Sequence, residues 1–386
     1  MQHVYFDHNA TTPVAPEVLR DLMATLVEVS GNASSIHHFG QAAKLRLEKA
    51  RREVAARIGC DAKEVVFTSG GTESDNLAIF GIAQRAKSAA RHIITSSTEH
   101  PAVLNACAQL EREGAKVTWL PVDREGRVDP DDLKRALRPG TGLITIMHAN
   151  NETGTIQPVR EIATVAQRAG AVFHCDGVQM GGRVPVNVRE LGVDLYSLSG
   201  HKFGAPKGVG ALYVRKGITL EAMLFGGHHE RDRRAGTENV PGAAAIGTAC
   251  ELAFDWNSLA PLRDRLERGI LTRVGGTQVN GSTEYRLPNT SNIQFTGIEG
   301  EAIVIALDLR GFAVSSGSAC SSGAVEPSHV LLAMGLTSED ARSSVRFSLG
   351  PGNTAAEVDG LIEAVEGAVA HLRCISPQLV TEGVNA

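Results

Sequence analysis

Between about residues 50 and 215 the chain alternates short apolar runs with stretches whose apolar residues recur at helical spacing, and few folds accept that pattern. EVVFTSG (64–70), HIITSS (92–97), KVTWLPV (116–122), GLITIMHA (142–149), AVFHCDG (171–177) and DLYSLSG (194–200) read as strands. TESDNLAIFGIAQRAK (72–87), PAVLNACAQLERE (101–113) and VREIATVAQRAG (159–170) read as intervening helices, with Pro101 suited to a first turn and Gly170 to a helix end. Strands alternating with helices need crossover connections, and near-continuous apolar strands need cover on both faces. The pattern predicts an α/β architecture built on a mostly parallel sheet.

After about residue 255 the style changes. A helical stretch (261–274) leads to strand-like NTSNIQFTG (289–297), then EGEAIVIALDLRG (299–311), a short helix around HVLLAMG (329–335), SVRFSLG (344–350) and a last helix to about Arg373. This reads as a smaller α+β domain. A chain of 386 residues suits one large and one small core. We expect the large domain over residues 16–255 and the small one over 256–386, joined by the amino-terminal residues 1–15.

The formal charge of -5, with no block of Lys or Arg, argues against a nucleic-acid partner. No apolar run is long enough to span a bilayer, and Met1–Ala10 lacks a signal pattern. Cys60, Cys107, Cys175, Cys250, Cys320 and Cys374 are scattered without a CxxC pair, which fits a reducing compartment and no disulfide framework. The expectation is a cytoplasmic protein with no membrane or nucleic-acid contact. Cys320 stands apart: SSGSACSSG (315–323) surrounds it with residues that bury almost nothing.

Three stretches carry candidate chemistry. TSGGTES (68–74) places two glycines and Thr72 where a strand turns into a helix, an arrangement that suits an anion or a plain N-cap about equally. Asp176 ends an apolar strand in FHCDGVQ (173–179), where it either pairs with a cationic group or caps a turn. Lys202, in SLSGHKFGAPKGVG (197–210), is either an exposed lysine or a reactive amine in an apolar pocket, with Ser199 and His201 as further donors. Taken together, a phosphate-cradling helix start, an Asp and a Lys at successive strand ends are the parts that pyridoxal phosphate requires.

With these pieces the chain resembles the NifS/IscS-like cysteine desulfurases of the aminotransferase class V family of PLP enzymes. The resemblance runs through YFDHNATT (5–12), GNASSIHHFG (31–40), TSGGTESDN (68–76), EHPAV (99–103), MHANNETG (147–154), FHCDGVQ, the Lys202 block, RRAGTENVPG (233–242) and SSGSACSSGAVEPSHVL (315–331). It implies the PLP-dependent aminotransferase-like fold (fold type I). It also implies that Lys202 holds the cofactor covalently, Asp176 pairs with its ring nitrogen and Gln179 bonds its ring hydroxyl. His100 would stack on the ring and move protons, though alone it reads equally as a helix cap. Gly71, Thr72, Ser199 and His201 match the phosphate set, and Thr237 matches a residue that reaches the phosphate of the other subunit of a homodimer. Asn151 matches a residue beside both the cofactor hydroxyl and the substrate carboxylate, and Arg346 matches the arginine that clamps that carboxylate, a forked donor that a lysine would match less well.

By the same resemblance the reaction takes sulfur from L-cysteine onto Cys320, leaves alanine, and passes the persulfide to a sulfur-acceptor or iron–sulfur scaffold protein. The Ser/Gly/Ala setting suits a thiol with two sites to visit. Family analogy also makes Cys320 a transient ligand of an iron–sulfur cluster shared with a scaffold. The histidine pairs 37–38 and 228–229 lack metal-ligand spacing. Rivals are a selenocysteine lyase or aminotransferase of the same fold, the latter needing no protein thiol, and a non-catalytic assembly component, which would not need Lys202, Asp176, His100, Arg346 and Cys320 together.

Overall fold

A computed structural model describes residues 3–85, 92–252, 254–316 and 326–375. Its strands are β1 (Val4–Tyr5), β2 (Val65–Thr68), β3 (His92–Ser96), β4 (Lys116–Leu120), β5 (Thr141–Thr145), β6 (Val172–Asp176), β7 (Leu195–Ser199), β8 (Gly210–Val214), β9 (Thr277–Asn280), β10 (Thr290–Phe295), β11 (Phe312–Ala313) and β12 (Ser344–Ser348). The large sheet has the order β2-β8-β7-β6-β5-β3-β4. β3 through β7 pair in parallel, and β8 enters antiparallel to both β2 and β7. The mostly parallel sheet expected from the strand–helix alternation is therefore present.

Two differences from the sequence reading matter for the site. Gly210–Val214 is a fully buried strand hidden in a glycine-rich stretch; it follows Lys202 without a helix, which is why it runs antiparallel. The run 142–149 parts from β3 after Thr145 while Ile146 and His148 still donate to the His174 and Asp176 carbonyls of β6 (3.2 and 2.8 Å); the Met147 N–H turns to Glu99 Oε1 at 2.9 Å, and Met147 and Ala149 line a cavity.

Both sheet faces are covered because successive strand residues point to opposite sides. Ile93, Leu143 and Leu195 join one apolar cluster with Leu77, Val103 and Leu110 of the helices Gly71–Ala83 and Pro101–Arg112. Ile94, Ile144 and Tyr196 join the other, against the helices His38–Ile58, Val159–Ala169 and Val240–Leu252. A separate core gathers Phe6, Ile293, Phe295, Val345 and Phe347 with the helices Ala260–Arg273, Gly300–Asp308 and Ala355–Ile375, on the antiparallel sheet β12-β10-β9. β1 pairs in parallel with β11, so the amino-terminal segment lies on this second core.

Candidate functional site

A cavity of about 350 Å³ opens beyond the carboxyl ends of β2, β3, β5, β6 and β7, where open α/β sheets place their ligands. Gly70, at φ 156°, takes a conformation that side-chain-bearing residues rarely adopt. A Cβ on Gly71 would meet Val178 Cγ2 at 2.7 Å. The two glycines thus let the chain turn tightly into the helix Gly71–Ala83, whose free N–H groups face the cavity beside Thr72, Ser199 and His201. His201 also accepts or donates at Thr11 Oγ1 (3.1 Å), and burial holds its imidazole down at about 4, so it serves as a neutral hydrogen-bonding group.

Asp176 is buried at the end of β6 and accepts a hydrogen bond from the Val178 N–H at 2.9 Å. Among the described residues no basic side chain lies within ion-pair distance of it. Burial raises its carboxyl, while His100 and Lys202 pull the other way. Behind it, Asp75 and Glu99 are held well above the usual carboxylate range, first by burial and also by the charge of Asp176. Of the pair Asp75 and Asp176, Asp75 keeps the proton, because Asp176 alone has cationic neighbours and a backbone donor. His100 follows β3 and caps the helix Pro101–Arg112, its Nδ1 accepting from the Ala102 N–H at 3.1 Å. That bond leaves the proton of the neutral ring on Nε2. The ring opens onto the cavity, and loss of water around it lowers its basicity against the pull of Asp176.

Lys202 sits in the short turn Gly200–Lys202 after β7. Its amine donates to the carbonyls of Asn9 (2.6 Å) and Ala10 (2.9 Å). Burial, then the positive charges of Arg183 and Arg346, lower it to about 7, so a large share of the amine is neutral and nucleophilic near neutrality. Arg183 is buried and holds this floor together. It donates to the Lys202 carbonyl (2.8 Å), Asn9 Oδ1 (2.9 Å), Gln179 Oε1 (2.8 Å) and the His8 carbonyl (2.6 Å). Gln179 in turn donates to the Asn9 carbonyl at 3.1 Å.

Arg346 projects from β12, so the second core also supplies a wall of the cavity. Its Nη1 donates to the Asn151 carbonyl at 3.0 Å and its Nη2 to Asp7 Oδ1 at 2.6 Å, while Nε is buried with no partner among the described residues.

Of the twelve residues singled out from the sequence, ten line this one cavity: Gly71, Thr72, His100, Asn151, Asp176, Gln179, Ser199, His201, Lys202 and Arg346. Thr237 is exposed and lies outside it. Cys320 falls outside the described residues. Among the described residues no cluster of His, Cys, Asp and Glu could hold a metal ion, and no helix is long and apolar enough to cross a membrane. Sequence reasoning missed Asp7, Asn9, Asp75 and Arg183. The first three lie inside quoted blocks and could have been noted as polar residues too dense for a plain turn; Arg183 had no signal beyond its nearness to Asp176.

This donor set fits pyridoxal phosphate. Gly71 packs too tightly on Val178 to carry a side chain and so brings the helix start to the cavity, where its N–H groups and the hydroxyls suit a phosphate, the neutral amine suits an aldehyde, and Asp176 suits a protonated ring nitrogen. The comparisons agree. The model of the aminotransferase class-V family matches residues 4–361. A cysteine desulfurase IscS of Dictyoglomus turgidum is 49% identical over 381 residues, covering 97% of each chain. A solved NifS-like protein superposes with a TM-score of 0.90 at 37% identity, over 96% of this chain and 100% of its own. A structure of SspA in complex with cysteine does so with a TM-score of 0.82 at 36% identity, over 91% of this chain and 99% of its own.

Proposed function

The chain belongs to the aminotransferase class-V family and is a cysteine desulfurase, and on that premise we propose how its residues divide the work. The observation that carries the proposal is the gathering in one cavity of a lysine lowered to about 7, a buried carboxylate and a buried arginine, from two separate cores. When bound, pyridoxal phosphate supplies an electron sink for the bonds around the substrate's α-carbon. Lys202 holds the cofactor, Gly71, Thr72, Ser199 and His201 hold its phosphate, Asp176 holds a proton at its ring nitrogen and Gln179 bonds its hydroxyl. Arg346 and Asn151 orient the carboxylate of L-cysteine, and His100 moves protons through Nε2.

The Cys320 thiolate then takes the substrate sulfur. The carbon–sulfur bond breaks, a sulfur–sulfur bond forms, and the carbon is protonated to give L-alanine. The persulfide passes to a sulfur-acceptor or iron–sulfur scaffold protein, with Cys320 as a transient cluster ligand there. Thr237, exposed and outside its own cavity, supports a homodimer in which it completes the phosphate site of the other subunit. We place the division of the chain at residues 16–255 against 1–15 with 256–386, which the separate apolar cores support. A cytoplasmic setting fits the five unpaired cysteines among the described residues.

The test is to incubate the purified holoenzyme with L-cysteine and a thiol acceptor and to assay alanine and sulfide. Equal amounts of both are expected. Pyruvate or a keto product in place of alanine would overturn the reading.

A further inference from the structure

We propose that Asp7 is a positioning residue that tunes the carboxylate clamp: by holding one side of the Arg346 guanidinium it weakens the pocket's hold on any carboxylate, so that only a ligand also held by its amine binds well. The proposal rests on the reading of Arg346 as the clamp for the substrate carboxylate.

Arg346 is only 4% exposed, and its Nη2 already donates to a carboxylate, Asp7 Oδ1, at 2.6 Å. The backbone of Asp7 is fixed beside Arg346. Its carbonyl accepts from the Tyr5 hydroxyl (2.9 Å) and the Ala10 N–H (3.1 Å), and its backbone bridges Ser348, two residues along the strand from Arg346. Arg346 is equally fixed: its backbone N–H donates to the Ser315 carbonyl at 2.6 Å and its Nη1 to the Asn151 carbonyl. These contacts engage one N–H on each terminal nitrogen, and Nε is buried with no partner among the described residues.

A guanidinium presents five N–H donors, so an incoming carboxylate can still be bound. Its charge, however, meets an arginine already answered by Asp7, and the two carboxylates repel across the same cation. A ligand held by its carboxylate alone therefore gains little. An α-amino acid, whose amine is engaged on the Lys202 side of the cavity, binds through two ends and tolerates the weakened one. The same balance lets the carboxylate of alanine leave.

A purely structural role, in which Asp7 only pays the cost of burying Arg346, makes a different prediction. Holoenzyme and its Asp7→Asn variant, which keeps the acceptor oxygen without the charge, are titrated by calorimetry with propionate, L-alanine and ethylamine. Propionate is expected to bind about tenfold more tightly to the variant, the effect of strengthening one charged hydrogen bond, with alanine following it and ethylamine unchanged. Asp7→Ser replaces it should the asparagine variant fail to fold, and Asp7→Glu, which keeps the charge, should bind propionate as the wild type does. Unchanged or weaker propionate binding in a variant of wild-type melting temperature and cofactor absorption would overturn the proposal. Arg346→Met separates the two readings: intact propionate binding in that variant would remove the carboxylate clamp itself, and the role of Asp7 with it.

Discussion

The Lys202 amine donates to the Asn9 carbonyl at 2.6 Å, so backbone oxygens rather than a carboxylate hold the lysine that lines the cavity. Neutral acceptors orient the amine without stabilising its charge as an ion pair would. Arg183, which binds both the Lys202 carbonyl and Asn9, adds a positive charge nearby. Together with burial, this keeps the amine at about 7.

The apoprotein should carry a stability cost for this lysine. Its folded value of about 7 lies below the ordinary 10.5, so the unfolded chain binds the extra proton between those values. The cost is full below about pH 7 and fades as pH rises towards 10.5. Lys202→Met apoprotein should therefore be more stable than wild type at neutral pH, on the order of a few kcal/mol, with the gain shrinking in alkali. Denaturant titrations of both proteins across that range provide the check. The variant should also lose bound cofactor on dialysis and form no alanine.

His100 joins two jobs that substitution can separate. Asparagine is a good N-cap, so His100→Asn should keep the Pro101–Arg112 helix and change stability by less than about 1 kcal/mol. Loss of the proton-moving ring should still lower alanine formation by roughly 10²–10⁴-fold. Melting temperature and turnover, measured on one preparation, would part company.

Arg346→Lys replaces a planar fork by a point charge. The expected loss in kcat/KM for L-cysteine corresponds to about 1.5–3 kcal/mol, with cofactor affinity unchanged. Steady-state kinetics beside a cofactor titration would show a selective loss of cofactor if Arg346 served the phosphate instead.

Cys320→Ala should retain cofactor and still change its visible spectrum on mixing with L-cysteine, but release almost no alanine. Intact-mass spectrometry should find an added sulfur on the wild type and none on the variant. Sulfur mapped to Cys175 or Cys374 would remove the carrier role. In the wild type the step should slow as pH falls and the thiolate is protonated.

A last expectation concerns stability away from the chemistry. Glu230, Arg231 and Asp232 hold φ of 45°, 58° and 64°, three successive residues in the left-handed region. Glu230 is anchored there by a buried fork from Arg51 (2.7 and 2.8 Å) and by the Phe67 N–H at 3.0 Å. Glu230→Ala removes the fork and leaves buried Arg51 with only Glu48 (3.0 Å) and the Val65 carbonyl (2.9 Å), so unfolding should be easier by about 1.5–3 kcal/mol. Chemical denaturation measures this directly, and an Arg51→Met second substitution should recover part of the loss.

Much of this protein is written locally. Strand–helix alternation required the parallel sheet, because period-2 and period-3.6 patterns cannot exchange, and residues such as Lys202 and Asp176 stand out at strand ends whose neighbours are apolar. The glycines before Thr72 are legible for the same reason: backbone geometry at a tight turn restricts residue type at that position alone. Strand β8 was not, since Gly210–Val214 follows a glycine-rich turn after Lys202 with no helix between, and β2 and β7 flank it. Arg183 and Asp7 were not legible in role either. One is an arginine after two glycines and the other an aspartate near the amino terminus, and the sequence holds no mark of the chain segments that meet them. Asp7 finds Arg346 across 339 positions of chain. Tertiary packing decided which charges are buried together, and burial, by removing water, is what lowered the basicity of an ordinary lysine and set an aspartate and an arginine from opposite ends of the chain against one cavity.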